Sequence, residues 1–267
     1  MANISCVPFH FEKRFTDSGR INMKKFGAIV LAASLSFGML STSAQETNAA
    51  ANYQVKKVAY SKEYKRDDGT AYFTVKGKFP QIKNDTDAAK KINQALTKEK
   101  NSLINQWKKN AKEYKNEIKK DNNLEITYGD EITYKVYSND DKYFSVMLSG
   151  YLFTGGAHGN PYRSCLTFDA QTGEKLTAAK IFGISKKQLN QKVKKLYLKK
   201  YDKMGEEAGF YPAIGDEDGR KLLQDNLKNM DFNSSFYVKN GKAVFYAEPY
   251  VLGPYAAGFI SVSATIK

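Results

Sequence analysis

The spacing of apolar positions switches period several times along the chain, and each switch marks an element. Tyr53–Tyr64 and Thr70–Phe79 are rich in aromatic and β-branched residues and flank Asp67-Asp68-Gly69, so they predict a hairpin that Pro80 closes. From Ala88 the period lengthens. Ile92, Leu96, Leu103, Trp107, Ala111, Tyr114 and Ile118 form one stripe of a long helix, with Asn84 or Asp85 as its cap. Leu124–Tyr137 and Tyr143–Phe153 predict a second hairpin. The latter is apolar on both faces, which suits a strand well inside the sheet. Tyr162–Asp169 alternates again, and the Thr172-Gly173 turn returns a short strand towards Ile181-Phe182.

Ser185 and Gln188 then form a capping box for a helix whose apolar face is Leu189, Val193, Leu196, Tyr197, Tyr201 and Met204. Glu206–Gly219, broken by glycine and proline, predicts a surface loop before a short helix with Leu222, Leu223 and Leu227. Asn240-Gly241 joins two final strands in a type I′ turn. A proline-stiffened loop, Glu248–Gly258, leads into the closing strand of Ile260, Val262, Ala264 and Ile266. Strands and helices mix without regular alternation, which implies an α+β fold: an antiparallel sheet packed with two main helices and one short helix.

The amino-terminal 51 residues follow a different logic. After Met23 come two lysines, an uncharged run from Phe26 to Leu40, and small residues ending at Ala49-Ala50-Ala51. That order is the layout of a secretory signal peptide, and the apolar run falls short of the roughly 20 residues that span a membrane. The expectation is export to the periplasm, cell wall or exterior, with cleavage between Ala44 and Ala51 and no membrane span. Residues 1–22 read as a mis-assigned upstream start, 23–51 as the leader, 52–140 as a first α+β subdomain and 141–267 as a second.

The whole chain carries a formal charge of +14; its first 51 residues hold five basic and three acidic side chains, leaving about +12 on the rest. Such a surplus favours anionic partners. For an exported chain these are an anionic wall polymer or an envelope protein, and not nucleic acid. The oligomeric state is open at this stage.

Chemistry is sparse. His158, in Gly155-Gly156-Ala157-His158-Gly159, is the only histidine beyond the leader, and Cys165 the only cysteine, so no multi-histidine metal site and no internal disulfide is expected. No cofactor is expected either. If the protein is an enzyme, a peptidoglycan-modifying hydrolase centred on His158, Cys165 and Asp169 is the constellation to test, since a thiol needs an activating neighbour. The Gly-x-Ser-x-Gly elbow of a serine nucleophile is absent. The competing reading makes His158 a local hydrogen-bonding brace of a turn whose glycines permit unusual backbone angles. Among 18 tyrosines, Tyr151, Tyr211, Tyr250 and Tyr255 lie in or beside expected loops. Together with His158 they form the candidate binding set, because a tyrosine ring offers a flat apolar face with a polar tip.

Tyr151–Gly159, Phe168-Asp169 with Thr172-Gly173, Ile181-Phe182 and the Glu248–Gly258 loop together resemble the RsiV-type extracellular domain, a domain of unknown function found in lysozyme-sensing anti-sigma factors and at the front of peptidoglycan deacetylases. Phe79-Pro80-Gln81-Ile82, followed by a helix with Ile92-Asn93, resembles the companion domain that usually precedes it. The resemblance implies an α+β exported module that binds a ligand at the cell surface. The expected function is therefore a secreted, non-enzymatic, envelope-associated binding module. Its alternatives are the exported hydrolase and a lysozyme-binding or lysozyme-inhibiting protein.

Overall fold

The computed structural model describes residues 53–120, 127–212, 218–228 and 230–266. The upstream start, the leader and its cleavage window lie outside the described residues, as do residues 124–126 of the expected strand Leu124–Tyr137 and residues 213–217 of the expected surface loop. Among the described residues the fold is α+β, with eight strands in two sheets.

The first sheet has the order β1 (Val55–Lys65), β2 (Ala71–Ile82), β3 (Tyr128–Asn139), β4 (Tyr143–Phe153), β5 (Asn160–Asp169). All neighbours are antiparallel except β2 and β3, which pair in parallel over Phe73–Gly77 and Tyr128–Ile132. The exception follows from α1 (Asp87–Lys120), the long helix between them: parallel neighbours need a crossover connection, and a helix supplies it. Residue 140, the expected end of the first subdomain, lies in the β3–β4 turn of this sheet.

Helix α1 lays Ala89, Ile92, Leu96, Trp107 and Ala111 on one face of the sheet, against Phe73, Phe79, Phe144, Val146, Leu166 and Phe168. Its first buried position is Ala89, one residue after the expected Ala88, and its amino-terminal cap is Thr86, whose hydroxyl accepts the Ala89 amide. Asn84 is used elsewhere, accepting the Gln54 amide. Nor does Pro80 end its strand. Lys83 donates to Gln54, just before β1, and Ile82 to Asn93, so alternation turns the Pro80 nitrogen away from β1 towards the side where pairing with β3 has already stopped at Gly77.

The second layer begins where a strand was expected. The bridge Phe168–Lys175 is isolated, and residues Ala178–Phe182 form a short helix, α2. Thr177 caps its amino terminus and left-handed Gly183 ends it, local signals that outweigh a bare apolar pair. Helix α3 (Lys186–Met204) carries the expected Ser185–Gln188 capping box and buries Leu189, Val193 and Tyr197, while Met204 is exposed. With α4 (Gly219–Lys228) it packs on the sheet β6 (Phe236–Lys239), β7 (Lys242–Ala247), β8 (Ile260–Thr265) around Phe210, Phe232, Phe236 and Phe245. Asn240 and Gly241 both take positive φ, as a type I′ turn requires.

The two layers meet on the face of the first sheet opposite α1. The Val238 amide donates to the Ser145 hydroxyl at 2.9 Å, and Ser145 shares a 2.8 Å hydrogen bond with Thr167. Met147, Cys165 and Tyr246 bury one another at the same seam. Among the described residues no helix is long and apolar enough to cross a membrane.

Candidate functional site: a tyrosine and histidine corner

The β4–β5 loop and the β7–β8 loop converge at one end of the seam. Two consecutive left-handed glycines, Gly155 and Gly156 at φ 90 and 85, swing the first loop out. Gly159 brings it back against its own hairpin. A Cβ there would lie 2.7 Å from the Leu152 carbonyl and from the Tyr151 ring, so only glycine fits. Its amide donates to the Tyr151 hydroxyl at 2.7 Å.

His158 is thereby delivered onto the β7–β8 loop. Its ring stacks on Tyr255 at 3.7 Å between centroids and lies 6.5 Å from Tyr250; the two tyrosine rings are 5.7 Å apart. Nδ1 sits 3.1 Å from the Gly159 carbonyl oxygen and Nε2 3.3 Å from the Tyr250 hydroxyl. These partners assign the proton to Nδ1, which donates to the carbonyl, while Nε2 accepts from Tyr250. Burial, then the neighbouring Tyr151, raise the Tyr255 pKa above the usual phenol value. Tyr211 completes the group from behind: its hydroxyl donates to the Tyr250 carbonyl at 3.2 Å and its amide to Leu252 at 3.0 Å.

All five residues of the candidate binding set are thus brought together from three separate stretches of chain. Tyr250 is 47% exposed and Tyr151 42%, although both are large aromatics. Tyr250 also holds φ at 66, a left-handed angle that a non-glycine residue takes at a cost. The corner therefore leaves the Tyr151 and Tyr250 rings partly in solvent while their hydroxyls brace the loops.

The enzymatic trio is not brought together. His158 precedes β5, Cys165 lies in its middle and Asp169 at its far end; at about 3.3 Å per residue the cysteine and the aspartate alone are roughly 13 Å apart. Burial pushes the Cys165 thiol up to about 12, which leaves no thiolate at neutral pH. Asp169 shapes a turn, accepting from Gln171 and from the amide and hydroxyl of Thr172. Burial alone would raise its pKa, but these hydrogen bonds outweigh it and lower it.

Beneath the corner lies a buried group that sequence reasoning missed. The Asp130 carboxylate on β3 accepts from Trp107 Nε1 of α1 at 2.7 Å and from the Tyr162 hydroxyl of β5 at 2.9 and 3.0 Å. Tyr162 reaches Asp130 across β4 because position 150 is glycine: a Cβ there would meet the ring at 2.1 Å. Burial raises the Asp130 pKa to about 6 despite both donors. The visible signal was Gly150, the lone glycine of β4.

Comparison with known proteins falls into the same two parts. Residues 66–161 match the family model described as Deacetylase PdaC, and residues 174–266 match that described as a protein of unknown function, DUF3298. No curated protein matches the chain. Among solved structures, a DUF3298 family member from Bacteroides fragilis aligns with a TM-score of 0.57 at 16% identity, covering 80% of this chain and 91% of its own. A DUF3298 family protein from Pseudomonas aeruginosa aligns with a TM-score of 0.50 at 15% identity, covering 80% and 90%. His158 falls within the first matched segment and Tyr250 and Tyr255 within the second, so the corner is assembled from both. The chain carries a DUF3298-type domain joined to a PdaC-type segment.

Proposed function

We propose that this protein is a secreted, non-enzymatic binding module of the cell envelope whose ligand seats on the corner of Tyr151, His158, Tyr250 and Tyr255. The observation that carries the reading is the convergence of exposed aromatic rings on a loop held in a left-handed backbone angle. Strain of this kind persists where the surrounding structure imposes it, and such places cluster at ligand sites. The leader-like start supports export, and the positive charge supports an anionic wall polymer as the partner.

Sedimentation with purified peptidoglycan, with anionic wall polymer and with lysozyme, each across a salt series, tests the proposal. Retention on the anionic polymer that weakens as salt rises is expected, because screening shortens the reach of charge. Retention on none of the three refutes the reading, and retention on lysozyme alone replaces the polymer with a protein ligand.

A further inference from the structure

Arg163 lies on the face of β5 that looks away from α1. Its register neighbours are Ser149 on β4 and, beyond it, Thr133 on β3. Tyr151 pairs with Pro161 two residues away on the same face, so Tyr151 and Arg163 are diagonal neighbours, about 7–8 Å apart by backbone. The guanidinium lies 3.6 Å over the Phe259 ring and 5.6 Å from that of Tyr246. Phe259 follows directly on the Tyr255–Gly258 stretch of the corner. Two aromatic walls therefore fix the plane of this cation beside the corner.

A half-buried arginine normally shares its fork of donors with a carboxylate. Among the described residues, no ion pair or hydrogen bond engages the Arg163 guanidinium. The Glu248 carboxylate feels the guanidinium as a neighbouring charge. Farther along the seam, Lys135 Nζ and Lys239 Nζ stand 5.3 and 6.0 Å over Tyr137, whose ring lies 4.1 Å from that of Tyr237 and tilted by 32°. The seam thus lines up three cations and a row of rings, rimmed by Thr133 and Ser149.

We infer that Arg163 is an oxyanion subsite: the ligand places a carboxylate or phosphate ester on its guanidinium, with Lys135 and Lys239 extending the site along the seam. The inference rests on the proposed binding role of the corner and deepens it by assigning where the ligand's charge goes. The arginine suits it because the planar fork takes two oxygens at once, which a lysine cannot do.

Titration of the ¹⁵N-labelled protein with glucuronate, glycerol 3-phosphate and glucose, followed at the arginine Nε–H resonances, tests this. Saturable shifts of the Arg163 signal with either anion, and none with glucose, are expected; which anion saturates first distinguishes carboxylate from phosphate. Arg163→Gln should weaken anion binding at least tenfold and Arg163→Lys should restore it only in part. Should Arg163→Gln disturb the fold, the exposed pair Lys135→Gln and Lys239→Gln gives a second reading, with at least a threefold loss expected. Lys194→Gln with Lys195→Gln on α3 is the control that removes equal charge elsewhere. Equal losses in the seam and control variants, or no Arg163 shift, overturn the subsite. Loss of polymer binding in Tyr250 variants that still bind glucuronate leaves the subsite standing, and the reverse outcome leaves only the corner.

Discussion

Tyr250 combines three properties that packing alone does not require: a left-handed backbone angle, nearly half its surface in solvent, and a hydroxyl spent on His158. Replacing it with glycine removes the ring but relaxes the backbone. Tyr250→Gly is therefore expected to keep its thermal midpoint within about 2–4 °C of the parent, the shift equivalent to about 1 kcal/mol at this size, while ligand retention falls. A fall of 10 °C or more would make the residue a structural keystone instead. Asp130 makes the opposite case, a buried acid serving structure. Its folded pKa, near 6, lies above the unfolded value near 3.8, so the native state binds the extra proton between those values. Stability from this group is then fully present below about pH 4, and about 3 kcal/mol is lost as pH rises through 6. Denaturation of Asp130→Asn, followed by the lone Trp107, should show a flatter dependence across that window than the parent; identical slopes would remove Asp130 as its source.

Two strand ends in this protein are finished by asparagine side chains. Where β2 and β3 part, the Asn93 amide of α1 accepts the Ile82 N–H at 2.8 Å and donates to the Ile82 carbonyl at 2.9 Å, doing the work of a strand partner. Asn139 serves Tyr53 in the same way. Asn93→Ala leaves both groups of Ile82 unpaired and is expected to cost about 1–3 kcal/mol in chemical denaturation. No loss would mean that water replaces the amide. Such devices bound what the chain alone discloses. The hairpins at Gly69 and at Asn240-Gly241, the α3 capping box and the stripe of α1 were legible, because each is written in neighbouring residues. The parallel β2–β3 pair, the division into two sheets and the role of Asp130 were not, since each depends on partners far apart in sequence. Pro80 misled for a related reason: a proline stops a strand only where its nitrogen faces a partner.

On the scale of the whole molecule, the candidate site is a product of docking one layer on the other. His158 and Tyr151 come from the first sheet, Tyr250 and Tyr255 from the loop closing the second, and Tyr211 braces them from the segment after α3. Each was noticeable in sequence as an aromatic or a histidine beside a turn, but their meeting required the seam around Met147, Cys165 and Tyr246. The same seam explains why Cys165 packs: it lies between the layers, where burial raises its pKa. A binding role for the corner makes it sensitive to how the layers dock, while the α1 face of the first sheet should tolerate exposed substitutions without loss of ligand. The most direct measurement is co-sedimentation of the parent protein and a Tyr250→Ala, Tyr255→Ala variant with anionic wall polymer at low salt, with circular dichroism confirming equal folding. At least a tenfold loss of retention in the folded variant is expected; undiminished retention would rule out the corner as the binding site.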